Sequence, residues 1–412
     1  MVINFHQKTT QKTASSRQSI YQRVSVTFNY EVYFTNNLFD LKNPTLAQVI
    51  TADGEAKPKK IVAVVDAGLL HDHSALLKQL VAYTKFYAEI LNLVVEPMMI
   101  PGGEVAKNDR GLVEQIHQLI DAAGLCRHSY LLALGGGAVL DLVGYAAATA
   151  HRGIRLIRIP TTVLAQNDSG VGVKNGINAF GKKNFLGTFA PPYAVINDSA
   201  FLTTLSDRDW RSGIAEALKV ALIKDADFFD FIHSHSVALV CRDMESMQQL
   251  IYRCAQLHLE HIARSGDPFE MGSSRPLDFG HWAAHKLEHL TNYSLRHGEA
   301  VAIGIALDST YSYLLGMLGW SEWQKILNTL SALGFTLYVP ELAEQLTNQQ
   351  HPRCLFRGLT EFQEHLGGEL TLTLLQRVGK GIEVHEVDLP LYEQAILQLQ
   401  EFVENQQIFC VS

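Results

Sequence analysis

At 412 residues the chain exceeds what one ordinary hydrophobic core supports, so two domains are expected. A content of 47% hydrophobic and 18% charged residues is that of a packed globular protein, and a net charge of -8 excludes a broad nucleic-acid-binding surface while leaving room for a local basic pocket. The five cysteines are scattered and odd in number, which excludes a disulfide framework, and with no CxxC pair a thiolate zinc site is excluded too; a reducing compartment, the cytoplasm, is expected.

Residues 1–24 contain no acidic residue and many Ser, Thr and Gln, and read as a flexible tail without the apolar stretch of a secretory leader. Ser25–Tyr33 alternates apolar and polar residues, as a half-buried strand does. Ile61–Val65, Tyr130–Leu134 and Leu156–Ile159 are short, wholly apolar runs that end in Asp66, in Gly135-Gly136-Gly137 and in Pro160-Thr161-Thr162. Helical periodicity fills the gaps at Leu76–Leu93 and Gly111–Ala123. Apolar strands alternating with helices predict a parallel sheet of βαβ units over residues 25–205. From residue 206 helical patterns dominate, at Gly213–Ile223, Met244–Ile262, Trp282–Leu290, His297–Leu315, Ser321–Leu333 and Leu391–Val403, with strand-like pieces at Glu369–Leu375 and Ile382–Val387. Residues 206–412 are therefore expected to form a mainly helical domain. No apolar run reaches the roughly 18 residues needed to cross a bilayer, so no membrane contact is expected.

Five motifs carry chemistry. Leu134–Asp141 follows a strand and opens a helix; its glycines let backbone N–H groups approach a pyrophosphate at the positive end of the helix, and Asp66 ends the preceding strand as a ribose-binding carboxylate does. Pro101–Lys107 is a Gly-rich turn into a helix, which taken alone reads as ordinary capping. Asp168–Lys174 and Lys182–Gly187 combine lysines with close-set glycines, as a polyanionic ligand requires. His281 and His285 lie one helical turn apart in metal-ligand spacing, with His289 and His297 following and His258 and His261 before them. Glu216 and Lys219 are one turn apart on an apolar helix; they either pair at the surface or face a site together.

In this order the five pieces resemble the 3-dehydroquinate synthase superfamily of sugar-phosphate cyclases over about residues 60–390. The resemblance implies a Rossmann-like NAD-binding domain followed by a helical metal-binding domain, as a homodimer. It implies zinc or cobalt on Glu216, His281 and His297, and NAD+ against Asp66, Glu104, Lys107, Gly136, Gly137, Asp141, Thr161, Thr162, Lys183 and Thr204. It implies substrate contacts at Arg152, Asp168, Lys174, Asn184, Lys219 and His285. The implied reaction oxidises a ring hydroxyl transiently with NAD+, eliminates phosphate, returns the hydride and closes a carbocycle by an internal aldol step.

The departures bear on the substrate. The shikimate-pathway synthase has R-x-x-L-N-x-G-H before its metal histidine; this chain has Arg275-Pro-Leu-Asp278-Phe-Gly-His281, one residue shorter and with Asp278 for asparagine. A family lysine is expected near Glu260, and the late D-K-K motif gives way to Phe362-Gln-Glu-His365. Tyr30–Phe34, Leu38–Asn43 and Phe356–Gly358 resemble the sedoheptulose 7-phosphate cyclases, although those usually have proline at the position of His285. The chain is also similar to the synthase-like protein of bacterial ebo clusters. These features together imply a cyclase that prefers sedoheptulose 7-phosphate or a similar carboxylate-free sugar phosphate and makes a cyclitol. A true 3-dehydroquinate synthase using the carboxylated heptulosonate 7-phosphate, a metal-dependent dehydrogenase of the glycerol dehydrogenase type, and a catalytically silent paralogue are the alternatives.

Overall fold

The structure is a computed structural model that describes residues 19–52, 54, 57–180, 182–264, 269, 276–365 and 368–411. Its larger sheet is built from β1 (Glu31–Thr35), β2 (Lys59–Asp66), β3 (Leu91–Leu93), β4 (Met98–Ile100), β5 (Tyr130–Gly135), β6 (Arg155–Pro160) and β9 (Ala194–Asp198). The strand order is β1-β9-β6-β5-β2-β3, with β4 also on β2, and every pairing is parallel. Helices cover both faces, and this is why the central strands read as unbroken apolar runs. Alternate residues of β2 and β5 enter opposite cores. Val62, Val64, Leu131 and Ala133 pack with Ile116, Leu140 and Val143. Ile61, Val65, Tyr130 and Leu132 pack with Leu46, Ile50 and Leu80 on the other face.

Three local expectations are revised. The strand expected at Ser25–Tyr33 starts only at Glu31, opposite Ala194. Pro191 and Pro192 precede Ala194 and lack the N–H groups that would extend the ladder, so Val24, Val26 and Phe28 lie exposed. The helix expected over Leu76–Leu93 stops at Phe86, and Leu91–Leu93 joins the sheet beside Lys59–Ile61. The basic segments around Lys174 and Lys183 form an antiparallel hairpin, β7 (Lys174–Ala179) and β8 (Lys182–Phe189), which packs against the helix Gly137–Thr149.

After residue 206 the chain is helical apart from a second hairpin, β10 (Leu372–Arg377) with β11 (Lys380–Val384). The helices Asp207–Lys224, Met244–Arg264, His281–Leu290 and His297–Leu314 share one continuous core with the helices that follow. The last of these four is apolar around its whole circumference, as a central helix must be. No helix among the described residues is long and apolar enough to cross a membrane.

Candidate active site

Parallel strands deliver their loops to one end of the sheet, and ligands bind there. Asp66 ends β2, Gly136 and Gly137 follow β5, and Thr161 and Thr162 follow β6. All of them, with Gly102 and Glu104 from the turn after β4, line a cleft of about 1040 Å³ between the sheet and the helical half. The glycine after β4 is required, because a Cβ on Gly102 would lie 2.3 Å from the Asp66 carboxylate. Gly136 caps the helix Gly137–Thr149, whose unpaired first N–H groups open onto the cleft. Lys107 is buried; its Nζ donates to Asp141 at 2.7 Å and also to Asn184 on the hairpin. Asn184 has φ of 52°, a left-handed conformation that asparagine tolerates, and its N–H donates to Asn178 Oδ1 at 2.9 Å. Glu104 accepts from Asn178 Nδ2 at 2.7 Å. Lys183 and Thr204 complete the wall, and Thr204 Oγ1 meets His73 Nε2 at 2.8 Å.

The opposite wall comes from the helical half. Asp168 lies on a single π-turn, Ala165–Ser169, a distortion frequent at functional sites. Gly213 lets the helix Asp207–Lys224 pass close beneath that turn, since a Cβ there would lie 2.4 Å from Leu164 N. Glu216, one turn later on that helix, is completely buried. Its carboxylate lies 3.5 Å from His281 Nε2, 3.2 Å from His297 Nε2 and 2.5 Å from Lys219 Nζ. Yet neither Glu216 oxygen has a partner in hydrogen-bond geometry. The open choice for Glu216 and Lys219 thus resolves to a buried pair.

The local charges act on one another. Burial disfavours ionised Glu216, but Lys219 and His281 outweigh it and hold the carboxyl well below its usual range. Burial also opposes ionisation of Asp168, and Lys219 and His258 outweigh it, with His258 Nδ1 2.5 Å from Asp168 Oδ1. Asp278 is half-buried; desolvation opposes its ionisation, and His281, Lys174 and Lys219 outweigh it and hold it low. Burial tends to discharge Lys219, but Glu216 and Asp168 raise its pKa instead. His285 sits deep between the walls yet exposes its ring to the cleft; burial, His281 and His297 push it down to about 3, so it is neutral. Its neutral ring can donate one hydrogen bond and accept another.

The sheet end and the cluster thus bring together nearly all the residues singled out in the sequence. Arg152 is the exception. It precedes β6, whereas the cleft lies at the far end of that strand, so within one chain it falls in a separate cavity with Arg127 and Tyr193. Glu260 does not line the cleft but accepts from Gln256 on its own helix at 3.2 Å; His258 is the residue of that helix that meets Asp168. Arg275 lies outside the described residues. His289 turns to Tyr293 and His261 to Lys224, away from the cluster. Sequence reading missed Glu288, which lines the cleft and touches both His297 and Lys183. Its spacing was the available signal, seven residues after His281 and three after His285 on one helix face.

A parallel sheet with a glycine-turn cradle, closed by helices carrying two histidines and a carboxylate, defines a nucleotide-and-metal enzyme scaffold. The descriptions "3-dehydroquinate synthase N-terminal" and "3-dehydroquinate synthase C-terminal" match residues 97–212 and 213–351. The 3-dehydroquinate synthase of Halorhodospira halophila is 33% identical over 78% of this chain and 90% of its own length. The 2-epi-5-epi-valiolone synthase of Streptomyces hygroscopicus is 32% identical over 95% of this chain and 91% of its own. A structure of the enzyme of that name from that organism, solved with NAD+ and Zn2+ bound, covers 92% of this chain and 99% of its own at a TM-score of 0.78. A glycerol dehydrogenase from Schizosaccharomyces pombe shares the fold alone, at 13% identity and a TM-score of 0.61. The chain belongs to the 3-dehydroquinate synthase family of sugar-phosphate cyclases.

Proposed function

We propose that the protein is an NAD+- and metal-dependent cyclase that converts a seven-carbon sugar phosphate to a carbocycle, with sedoheptulose 7-phosphate or a similar carboxylate-free sugar as its preferred substrate. The observation that carries the reading is the cluster of Glu216, His281 and His297, whose ligand atoms lie within 4.8 Å of one another and whose His297 lines the cleft that holds the glycine cradle. The residues fit a metal: two imidazoles and a carboxylate suit zinc or cobalt, and the Glu216 oxygens lack hydrogen-bonding partners. Asp66, the Gly136–Gly137 helix start and the Lys107–Asp141 pair fit NAD+ along the sheet end. When bound, NAD+ accepts and returns a hydride, and the metal acts as a Lewis acid.

The chain's own groups bind and orient. Asn184, Lys183 and Lys107 supply donors for anionic oxygens at the cradle side. Neutral His285 faces the cleft, where its ring can accept a hydrogen bond from a substrate hydroxyl or donate one to it. Lys219, held charged between Glu216 and Asp168, offsets negative charge developing beside it. The substrate preference rests on Asp278. It is half-buried, and His281, Lys174 and Lys219 favour its ionised form, so a substrate carboxylate brought beside it would meet an existing negative charge. A hydroxymethyl group would instead donate to it. Glu260 adds nothing to this argument, because its carboxylate turns to Gln256 on its own helix. The near-complete overlap with the valiolone synthase supports the same reading. The expected assembly is a cytoplasmic homodimer. The test is kcat/KM for sedoheptulose 7-phosphate against the carboxylated heptulosonate 7-phosphate, followed by phosphate release. The neutral sugar should win by tenfold or more; the reverse ratio overturns the preference.

A further inference from the structure

The metal cluster accounts for one side of the His297 ring only. Nε2 faces Glu216 Oε1 at 3.2 Å, while Nδ1 faces Glu288 Oε2 at 3.3 Å. The other oxygen of Glu288 accepts from Lys183 Nζ at 2.8 Å, and the Glu288 side chain is only 5% exposed. Glu288 belongs to the helix His281–Leu290, which also carries His281, so its carbon skeleton is fixed by the same backbone as a second member of the cluster. A buried carboxylate with one oxygen on a lysine and the other on an imidazole is a directed acceptor, and the lysine balances its charge.

We propose that Glu288 is a positioning residue for the metal centre. It accepts the Nδ1–H of His297, which fixes the tautomer whose Nε2 lone pair points at Glu216, and Lys183 keeps that acceptor ionised and in place. A carboxylate behind a ligating histidine orients the ring and raises its basicity, and its loss typically weakens metal binding 10- to 100-fold. This inference rests on the reading of Glu216, His281 and His297 as metal ligands.

The test is the affinity of the full-length protein for Zn2+ alone, measured by chelator competition in wild type and in Glu288→Gln, which keeps the volume and removes the charge. The variant should bind Zn2+ about 10- to 100-fold more weakly with its circular dichroism unchanged. Affinity within twofold of wild type, even with a lower Tm, overturns the inference and leaves Glu288 a structural ion pair. A wild-type protein that binds no Zn2+ overturns the metal reading itself. Should Glu288→Gln fail to fold, nitrogen NMR of histidine-labelled, zinc-loaded wild type decides: His297 should carry its proton on Nδ1 and the metal on Nε2. Metal on Nδ1 sinks the proposal.

Discussion

At the scale of single residues, the site is a set of buried charges whose partners are all short-range. Glu216 is the extreme case, since removing its cationic neighbours would leave a carboxylate with no water and no hydrogen-bonding partner. Replacing Glu216, His281 or His297 by Ala should therefore abolish stoichiometric metal and nearly all turnover. Metal content by emission spectroscopy is the check, and full occupancy in His297→Ala would sink the assignment and point to the His281/His285 pair instead. A second residue-scale expectation concerns stability. Asp308 is buried and accepts from Trp282 Nε1 and Tyr392 Oη at 3.0 Å and from Gly280 N at 3.1 Å. Burial outweighs these donors and raises it to about 7. An unfolded aspartate titrates near 3.9, so between about pH 4 and pH 7 the folded state holds the extra proton. The contribution is complete below the unfolded value and fades as pH rises through the folded one. Wild-type stability should thus fall from pH 5 to pH 8 relative to Asp308→Asn by an amount on the order of a few kcal/mol, read as a lower Tm. Parallel Tm curves for the two proteins would show that Asp308 does not titrate in this range.

At the scale of elements, the site depends on how closely helices approach. The N-terminus of His297–Leu314 reaches Glu216 because Gly298 lies against Ser212, where a Cβ would come within 2.2 Å of a carbonyl oxygen. Further along, Gly304 crosses Gly280, the residue before His281, and a Cβ there would lie 2.0 Å from the Gly280 oxygen. Backbone cannot yield as a flexible side chain can, so Gly304→Ala should cost about 3 kcal/mol or more and lower Tm by several degrees. Gly319→Ala, whose Cβ would meet only Glu322 at 3.8 Å, should change Tm little. Equal melting of the two variants would contradict the close crossing. Elements of this kind were unevenly legible in the sequence. β2, β5 and β6 announced themselves because both faces are buried, and His297–Leu314 because it is long and apolar. The hairpin β7–β8 did not, because its lysines and glycines mask any alternation and it packs outside the main sheet, on the helix Gly137–Thr149. β1 was placed correctly in the chain but too early, since its start is fixed by prolines some 160 residues away.

At the scale of the whole molecule, the cradle and the metal cluster come from opposite halves of the chain and meet across one cleft. Motif order made the cluster and the cradle readable, because each of their motifs is a local pattern on a single element. Within one chain Arg152 and Glu260 lie away from the cleft, because a motif gives a position along the chain and not the end of the strand or the face of the helix. The shared cleft has a kinetic consequence. A dehydrogenase must exchange its reduced cofactor after every turnover, whereas a cyclase returns the hydride to the same sugar and keeps its cofactor. During turnover of a seven-carbon sugar phosphate, inorganic phosphate should therefore accumulate in step with cyclic product while NADH absorbance stays flat. Glycerol and similar polyols should give neither signal. NADH that rises in proportion to substrate consumed, with no phosphate released, would place the protein functionally with the dehydrogenases whose fold it shares.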